Sequence, residues 1–98
     1  MLYEGILRFV SRASRAIDEG DIEKKVLYLN KTSAIFFELM DSLDFSQGDI
    51  AYYLQGLYTR QIQVIMQANI KNDKKALEEV IRVTRGLIDA WNESTKEE

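Results

Sequence analysis

Apolar residues along this chain recur at intervals of three and four, which is the spacing of one face of an α-helix. The first segment shows this with Leu2, Ile6, Phe9, Ala13 and Ala16. The second segment shows it with Ile22, Val26, Leu29, Ser33, Phe36, Met40 and Leu43, the alternation typical of a bundle seam. No stretch of any length alternates apolar and polar residues as a strand does, so the pattern predicts an all-α chain.

Short polar breaks divide the helical pattern into four segments. Gly20 suits the left-handed residue after a helix end, and Asp21 suits the cap of the next helix. Asp49 and Asp73 are the predicted caps of the third and fourth helices. The predicted helices cover about 1–19, 22–44, 50–70 and 74–92, and residues 94–98 are a predicted polar, disordered tail.

The helix lengths and the short links predict the topology. Each helix has about 20 residues and a length of about 30 Å. Short links between helices of equal length favour antiparallel neighbours, and the chain has no proline to interrupt a helix. We therefore expect one domain over residues 1–93, an antiparallel up-down four-helix bundle.

The first, second and third helices carry more apolar residues than a bundle helix needs to bury, which is about three in seven. On the second helix the surplus residues are Tyr28, Ile35, Phe37 and Leu39. The surplus indicates either a wide core or a groove for a partner helix, and both interpretations stay open. If it is a groove, the predicted partner-binding residues are Tyr3, Leu7, Val10, Tyr52, Leu54, Tyr58, Ile62 and Ile65. Gly5, Gly56 and Gly86 lie inside predicted helices, which indicates close approach by another helix of the bundle or by a partner.

The composition argues against several classes of function. The 98 residues include no histidine and no cysteine, which removes the commonest general base, a thiol nucleophile and a thiolate metal site. We therefore predict that the chain is not an enzyme and has no catalytic, cofactor-binding or metal-binding residues. Acidic residues at helical spacing, such as Asp18 and Asp21, are interpreted as surface and cap residues.

Charge and hydropathy disfavour nucleic acid and membrane. The net charge is −3, so we interpret the row Arg8, Arg12 and Arg15 as a solvated helix face. No run approaches the roughly 18 apolar residues that a membrane-spanning helix needs. The sequence predicts no membrane span and a cytoplasmic location.

Four blocks of the chain carry a resemblance to a known family. The blocks MLYEGILRF, LDFSQGDIAYYLQGLY, QANIKNDKKALEEV and GLIDAW, in this order and spacing, resemble the flagellar secretion chaperone family, FliS, from residue 1 to about 93. The resemblance implies a four-helix bundle without catalysis or cofactor. It also implies that the chain binds the C-terminal segment of flagellin in the cytoplasm, keeps it unpolymerised and delivers it to the flagellar export machinery.

The chain departs from the family at its start. Members carry a leader segment before the MLYEG-like block, which begins here at residue 1. We expect a shortened chain, a trimmed product or a mis-assigned start codon to account for this. We also expect some of Leu2, Tyr3, Ile6 and Leu7 to be covered by flagellin, by the leader or by a second copy. A co-chaperone, a homodimer and a generic adaptor that binds another amphipathic helix stay open as alternatives.

Overall fold

The computed structural model describes residues 2–96, apart from the side chains of residues 47 and 94–96. These residues form the helices α1 (Leu2–Glu19), α2 (Ile22–Asp41), α3 (Asp49–Lys71) and α4 (Lys74–Lys96), with a short 3-10 turn at Phe45–Gln47. The described residues contain no strand, which confirms the predicted all-α class.

The four helices pack around one core in up-down order. α1 packs against α2 and α4, and α3 packs against the same two helices, so α1 and α3 lie on a diagonal of the bundle. The predicted four-helix bundle is therefore confirmed. The largest buried apolar side chains come from all four helices and include Ile6, Val10, Leu29, Phe36, Tyr58, Leu77 and Val80.

Two of the three predicted caps are confirmed, and the third is wrong. The Asp21 carboxylate accepts a bond of 3.1 Å from the backbone N–H of Lys24, and the Asp73 carboxylate accepts bonds of 3.0 and 3.3 Å from two N–H groups at the start of α4. Asp49, in contrast, is the first residue of α3 and caps nothing, because Gly48 occupies the cap position with a φ of 80°. Its carboxylate in the first turn still complements the helix dipole.

Two helix ends differ from the predicted bounds. α2 ends at Asp41, three residues early, because Asp44 accepts a 3.0 Å bond from the Ser46 N–H and starts the 3-10 turn. α4 continues to Lys96, so residues 94–96 of the predicted tail are helical, and no glycine or proline follows Gly86 to end the helix. Residues 97 and 98 of that tail lie outside the described residues, as does residue 1.

Candidate partner-binding site

The eight predicted partner-binding residues do not form one open surface. Val10, Tyr58, Ile62 and Ile65 are buried in the core. Tyr3, Leu7 and Leu54 are half-buried, and Tyr52 is the most exposed of the eight. In this arrangement a partner has full access to Tyr52, partial access to the three half-buried side chains, and little access to the rest.

The structure does bring Tyr3 and Tyr58 together. Their hydroxyl oxygens lie 2.8 Å apart, and this hydrogen bond spans the diagonal between α1 and α3. The Tyr58 ring also packs against Phe36 of α2, with the ring centroids 5.9 Å apart. Burial raises the pKa of Tyr58 above its ordinary value, and the hydrogen bond to Tyr3 adds to the rise. This hydrogen bond therefore joins α1 to α3 inside the bundle.

An apolar row that the predicted set largely omits lies along the outer edge where α2 meets α3. We call it the α2–α3 groove and define it by Ile22, Val26, Phe37 and Met40 of α2 and by Tyr52, Met66 and Ile70 of α3. Five of these side chains are more than half exposed: Ile22 (66%), Phe37 (52%), Tyr52 (61%), Met66 (56%) and Ile70 (72%).

Helical spacing and two sets of contacts place these side chains on the same edge. On α3 the residues Tyr52, Met66 and Ile70 share one stripe, because their separations of 14 and 4 residues are close to whole turns. The Thr59 hydroxyl lies 3.6 Å from the Met40 sulfur near the middle of the α3 stripe. The Lys25 amino group binds Asn69 and Asn72 near its Ile70 end. The α3 side of the groove therefore spans about 27 Å, at about 1.5 Å per residue. At its Tyr52 end the ring packs against Phe45 of the 3-10 turn, with the centroids 4.9 Å apart.

The other edge of α3 is polar and closed by α4. The Arg60 guanidinium donates two hydrogen bonds of 3.2 Å to the Glu79 carboxylate, and the Gln61 amide donates a third of 3.1 Å. The hydrogen bonds from Arg60 lower the pKa of Glu79, against the opposing effect of its burial. Tyr52, Met66 and Ile70 therefore lie away from the α4 edge, whereas Ile50 (57%) and Tyr53 (64%) are exposed elsewhere on α3.

A row of exposed apolar side chains has a different meaning from scattered ones. Single exposed side chains of this kind are ordinary on any protein surface. Several such side chains along one edge of two packed helices are typical of an interaction site, because covering each side chain gains about 1.5–3 kcal/mol. On α3 the polar residues Gln55, Thr59 and Gln63 separate Tyr52 from Met66. The spacing of Tyr52, Met66 and Ile70 was the signal in the sequence that could have identified this row.

The described residues lack two further kinds of site. Among them, no group of three or more aspartate, glutamate, histidine or cysteine residues could hold a metal ion. None of the helices in the described part of the chain is long and apolar enough to cross a membrane. The fold and the groove together define a four-helix bundle with a candidate surface for a partner.

Comparison with known proteins identifies the family. Residues 1–98 match the model of the family described as flagellar protein FliS. The chain is 52% identical over 94 residues to the flagellar secretion chaperone FliS of Campylobacter jejuni, an alignment that covers 95% of this chain and 73% of that protein. It is 35% identical over 96 residues to the same chaperone of Escherichia coli, covering 96% and 71% of the two chains. The Bacillus subtilis chaperone is 34% identical over 98 residues, covering 100% and 73%. This chain belongs to the FliS family of flagellar secretion chaperones, which confirms the resemblance found in the sequence.

Proposed function

We propose that this chain is a cytoplasmic export chaperone that binds the C-terminal segment of flagellin, prevents its premature polymerisation and supports its secretion for flagellum assembly. The observation that carries the proposal is the row of exposed apolar side chains in the α2–α3 groove, on a chain of this family. A groove of about 27 Å accommodates an amphipathic helix of about 18 residues. The groove is therefore a template on which a disordered segment can fold.

The energetics favour a segment that folds on binding. Five large exposed side chains supply several kcal/mol of gross burial energy, and ordering the partner consumes part of it. The remaining free energy gives a complex that holds its cargo and can still release it. A cargo whose apolar face lies in the groove cannot use that face to pack against other flagellin subunits, which is how the chaperone would prevent polymerisation.

The predicted partner-binding residues that lie outside the groove have separate roles in this proposal. Tyr58, Ile62 and Ile65 lie on the core side of α3, where they are buried and support the groove from within the bundle. Tyr3 and Leu7 lie on α1, which is the diagonal neighbour of α3. A flexible cargo reaches both only by wrapping around the bundle, so contact with Tyr3 and Leu7 remains a prediction for an extended part of the flagellin segment.

Calorimetric titration with a peptide of the flagellin C-terminal segment tests the proposal. Phe37→Ala and Met66→Ala should each weaken binding by about tenfold, or about 1.4 kcal/mol, because each removes a side chain of the groove that is more than half exposed. Leu27→Ala is the matched control, since Leu27 is a 48% exposed apolar residue of α2 that lies away from the α3 edge.

Two outcomes would contradict the proposal. One is a loss of affinity in Leu27→Ala as large as the loss in Phe37→Ala, with helicity unchanged in both. The other is equal affinity for the flagellin peptide and for an unrelated amphipathic helix of the same length. The second result would make the chain a generic helical adaptor.

A further inference from the structure

The cation–π contacts of the described residues converge on one pair of aromatic rings, on the face where α1 meets α2. Phe9 of α1 and Tyr28 of α2 are stacked, with centroids 6.1 Å apart and an interplanar angle of 22°. The Arg8 guanidinium lies 5.3 Å and the Lys31 amino group 5.5 Å from the Phe9 centroid, and the Arg12 guanidinium lies 5.7 Å from the Tyr28 centroid. With Arg15, these residues define the α1–α2 cationic patch.

Three of the four cations of this patch form no ion pair within the described part of the chain. Three ion pairs there satisfy Lys24, Arg60 and Lys74. Arg12, Arg15 and Lys31 form none, and all three are exposed. Glu4 and Glu19 stand at the two ends of the arginine row of α1, so its centre is positive only. Like charges on adjacent helical turns repel each other, and a negatively charged partner would remove that cost.

The stacked geometry prepares the patch for carboxylates. A guanidinium held over a ring keeps its N–H edge toward solvent, where it can donate two parallel hydrogen bonds to one carboxylate. Arg8 and Arg15 are separated by about 10 Å along α1. This distance matches acidic residues spaced over two turns of a facing helix, and the ring pair between them offers an apolar contact.

The patch and the α2–α3 groove lie on opposite sides of α2. Tyr28 faces α1, where it stacks on Phe9, whereas Met40 faces α3, where it contacts Thr59. The part of a cargo that lies in the groove therefore does not cover the patch.

We propose that the α1–α2 cationic patch binds an acidic helical segment of a second partner protein while the groove holds its cargo. A nucleic acid is a poorer match, because the chain carries a net charge of −3 and the positive row is only about 10 Å long. The proposal does not depend on which cargo fills the groove.

Fluorescence anisotropy with a labelled 16-residue helical peptide tests this proposal, using about 16 residues so that the helix spans the patch. One face of the peptide carries three glutamates over two turns around a leucine, and the matched peptide carries glutamines there. The glutamate peptide should bind at least about tenfold more tightly in 0.15 M salt. Arg12→Gln should weaken it at least about threefold, whereas Arg85→Gln, which removes the same charge from exposed α4, should not.

A second variant tests whether the aromatic ring contributes to binding independently of the positive charges. Tyr28→Leu keeps every charge but removes the ring under Arg12, and it should also weaken the glutamate peptide at least about threefold. Because Tyr28 is half-buried, thermal unfolding checks the fold. If Tyr28→Leu unfolds, Phe9→Leu replaces it, because it also keeps every charge and removes the ring beside Arg8 and Lys31.

Three results would overturn the proposal. They are equal binding of the two peptides, equal effects of Arg12→Gln and Arg85→Gln, and tighter binding of a 16-base-pair DNA duplex than of the glutamate peptide. Repeating the titration with the flagellin peptide already bound keeps this test separate from the proposed function, because each peptide then reports its own face.

Discussion

At the residue scale, Lys25 brings a positive charge into the bundle and uses it to hold a helix end. Its amino group donates to the backbone carbonyl of Asn69 at 2.9 Å and to the side-chain oxygen of Asn72 at 2.6 Å. Asn72 is the left-handed residue that ends α3, with a φ of 53°. A cation at the negative end of a helix dipole is favourable, so this side chain ties the start of α2 to the end of α3.

We expect Lys25→Met to lower the free energy of unfolding by about 1.5–3 kcal/mol, because two charge-assisted hydrogen bonds are lost and their acceptors stay partly buried. Lys24→Met is the matched control. Lys24 is exposed, and its only ion pair in the described chain is the 3.9 Å contact with Asp21. Urea denaturation monitored by circular dichroism measures both. Equal losses in the two variants would refute the role of Lys25 as a tie.

A second residue-scale prediction concerns Tyr58 and alkaline pH. Its pKa is raised in the folded state, so the unfolded chain ionises first and stability falls as the pH rises above about 10. Tyr58→Phe should remove this part of the decline, and at neutral pH it should lose about 0.5–1.5 kcal/mol with the bond to Tyr3.

The matched control is Tyr53→Phe, because Tyr53 is an exposed tyrosine of the same helix. Unfolding free energies measured between pH 8 and about pH 11 compare the variants across the ordinary tyrosine pKa. If Tyr58→Phe follows the same alkaline decline as Tyr53→Phe, burial of the Tyr58 hydroxyl does not contribute to it.

At the element scale, the glycines within helices differ in what surrounds them. A Cβ built on Gly5 would lie 3.2 Å from the Ile35 side chain, so α1 and α2 approach closely there. A Cβ on Gly56 or Gly86 would meet nothing within 4 Å. Close packing of α1 on α2 therefore explains why residue 5 is a glycine. The described helices give no such reason at Gly56 and Gly86, where a partner could approach the backbone closely.

We expect Gly56→Ala to stabilise the chain by about 0.5–1 kcal/mol, because alanine has the better helix propensity and the site is open. Gly5→Ala should gain less, since the Ile35 side chain must move to make room. Chemical denaturation of both variants measures the difference. A loss of stability in Gly56→Ala would show that the space beside this glycine is not free.

Also at the element scale, the apolar periodicity of α2 does not predict which of its residues are buried. The 4-3 alternation placed Ile22, Leu29 and Phe36 on the seam of α2, yet Ile22 is exposed while Lys25 and Thr32 are buried. The alternation fixes a stripe but not which edge of it a neighbour covers. Lys25 is buried because the end of α3 supplies acceptors for its amino group, and nothing in α2 itself reveals them.

At the scale of the whole molecule, the bundle was predictable and the position of the groove was not. Helix number, order and class follow from periodicity and turn residues. In a square arrangement, however, each helix has two neighbours, so the second apolar stripe of α3, which includes Tyr58 and Ile62, turns inward against α2. The exposed row on α3 is then formed by Met66 and Ile70, which lie beside this stripe on the helix surface. The pattern of one helix taken alone does not show that these two residues border a neighbouring helix.

The stability of the whole bundle should respond to cargo, because a ligand that binds only the folded state stabilises it by mass action. At a free flagellin peptide concentration of about 100 times Kd, the gain is about 2.7 kcal/mol. For a domain of this size each kcal/mol raises Tm by about 4–8 °C, so a shift of about 10–20 °C is expected in differential scanning fluorimetry. Phe37→Ala should reduce the shift, whereas Leu27→Ala should not.

The same experiment distinguishes cargo from a second copy of the chain. A groove filled by another copy stabilises the bundle in the absence of peptide, and the Tm then rises with protein concentration. A groove that is open in the free protein gives a Tm independent of protein concentration and the full shift with peptide. We expect the second behaviour, with light scattering showing a monomer that forms a 1:1 complex. A concentration-dependent Tm with little response to peptide would instead assign the exposed row of Phe37, Met66 and Ile70 to self-association.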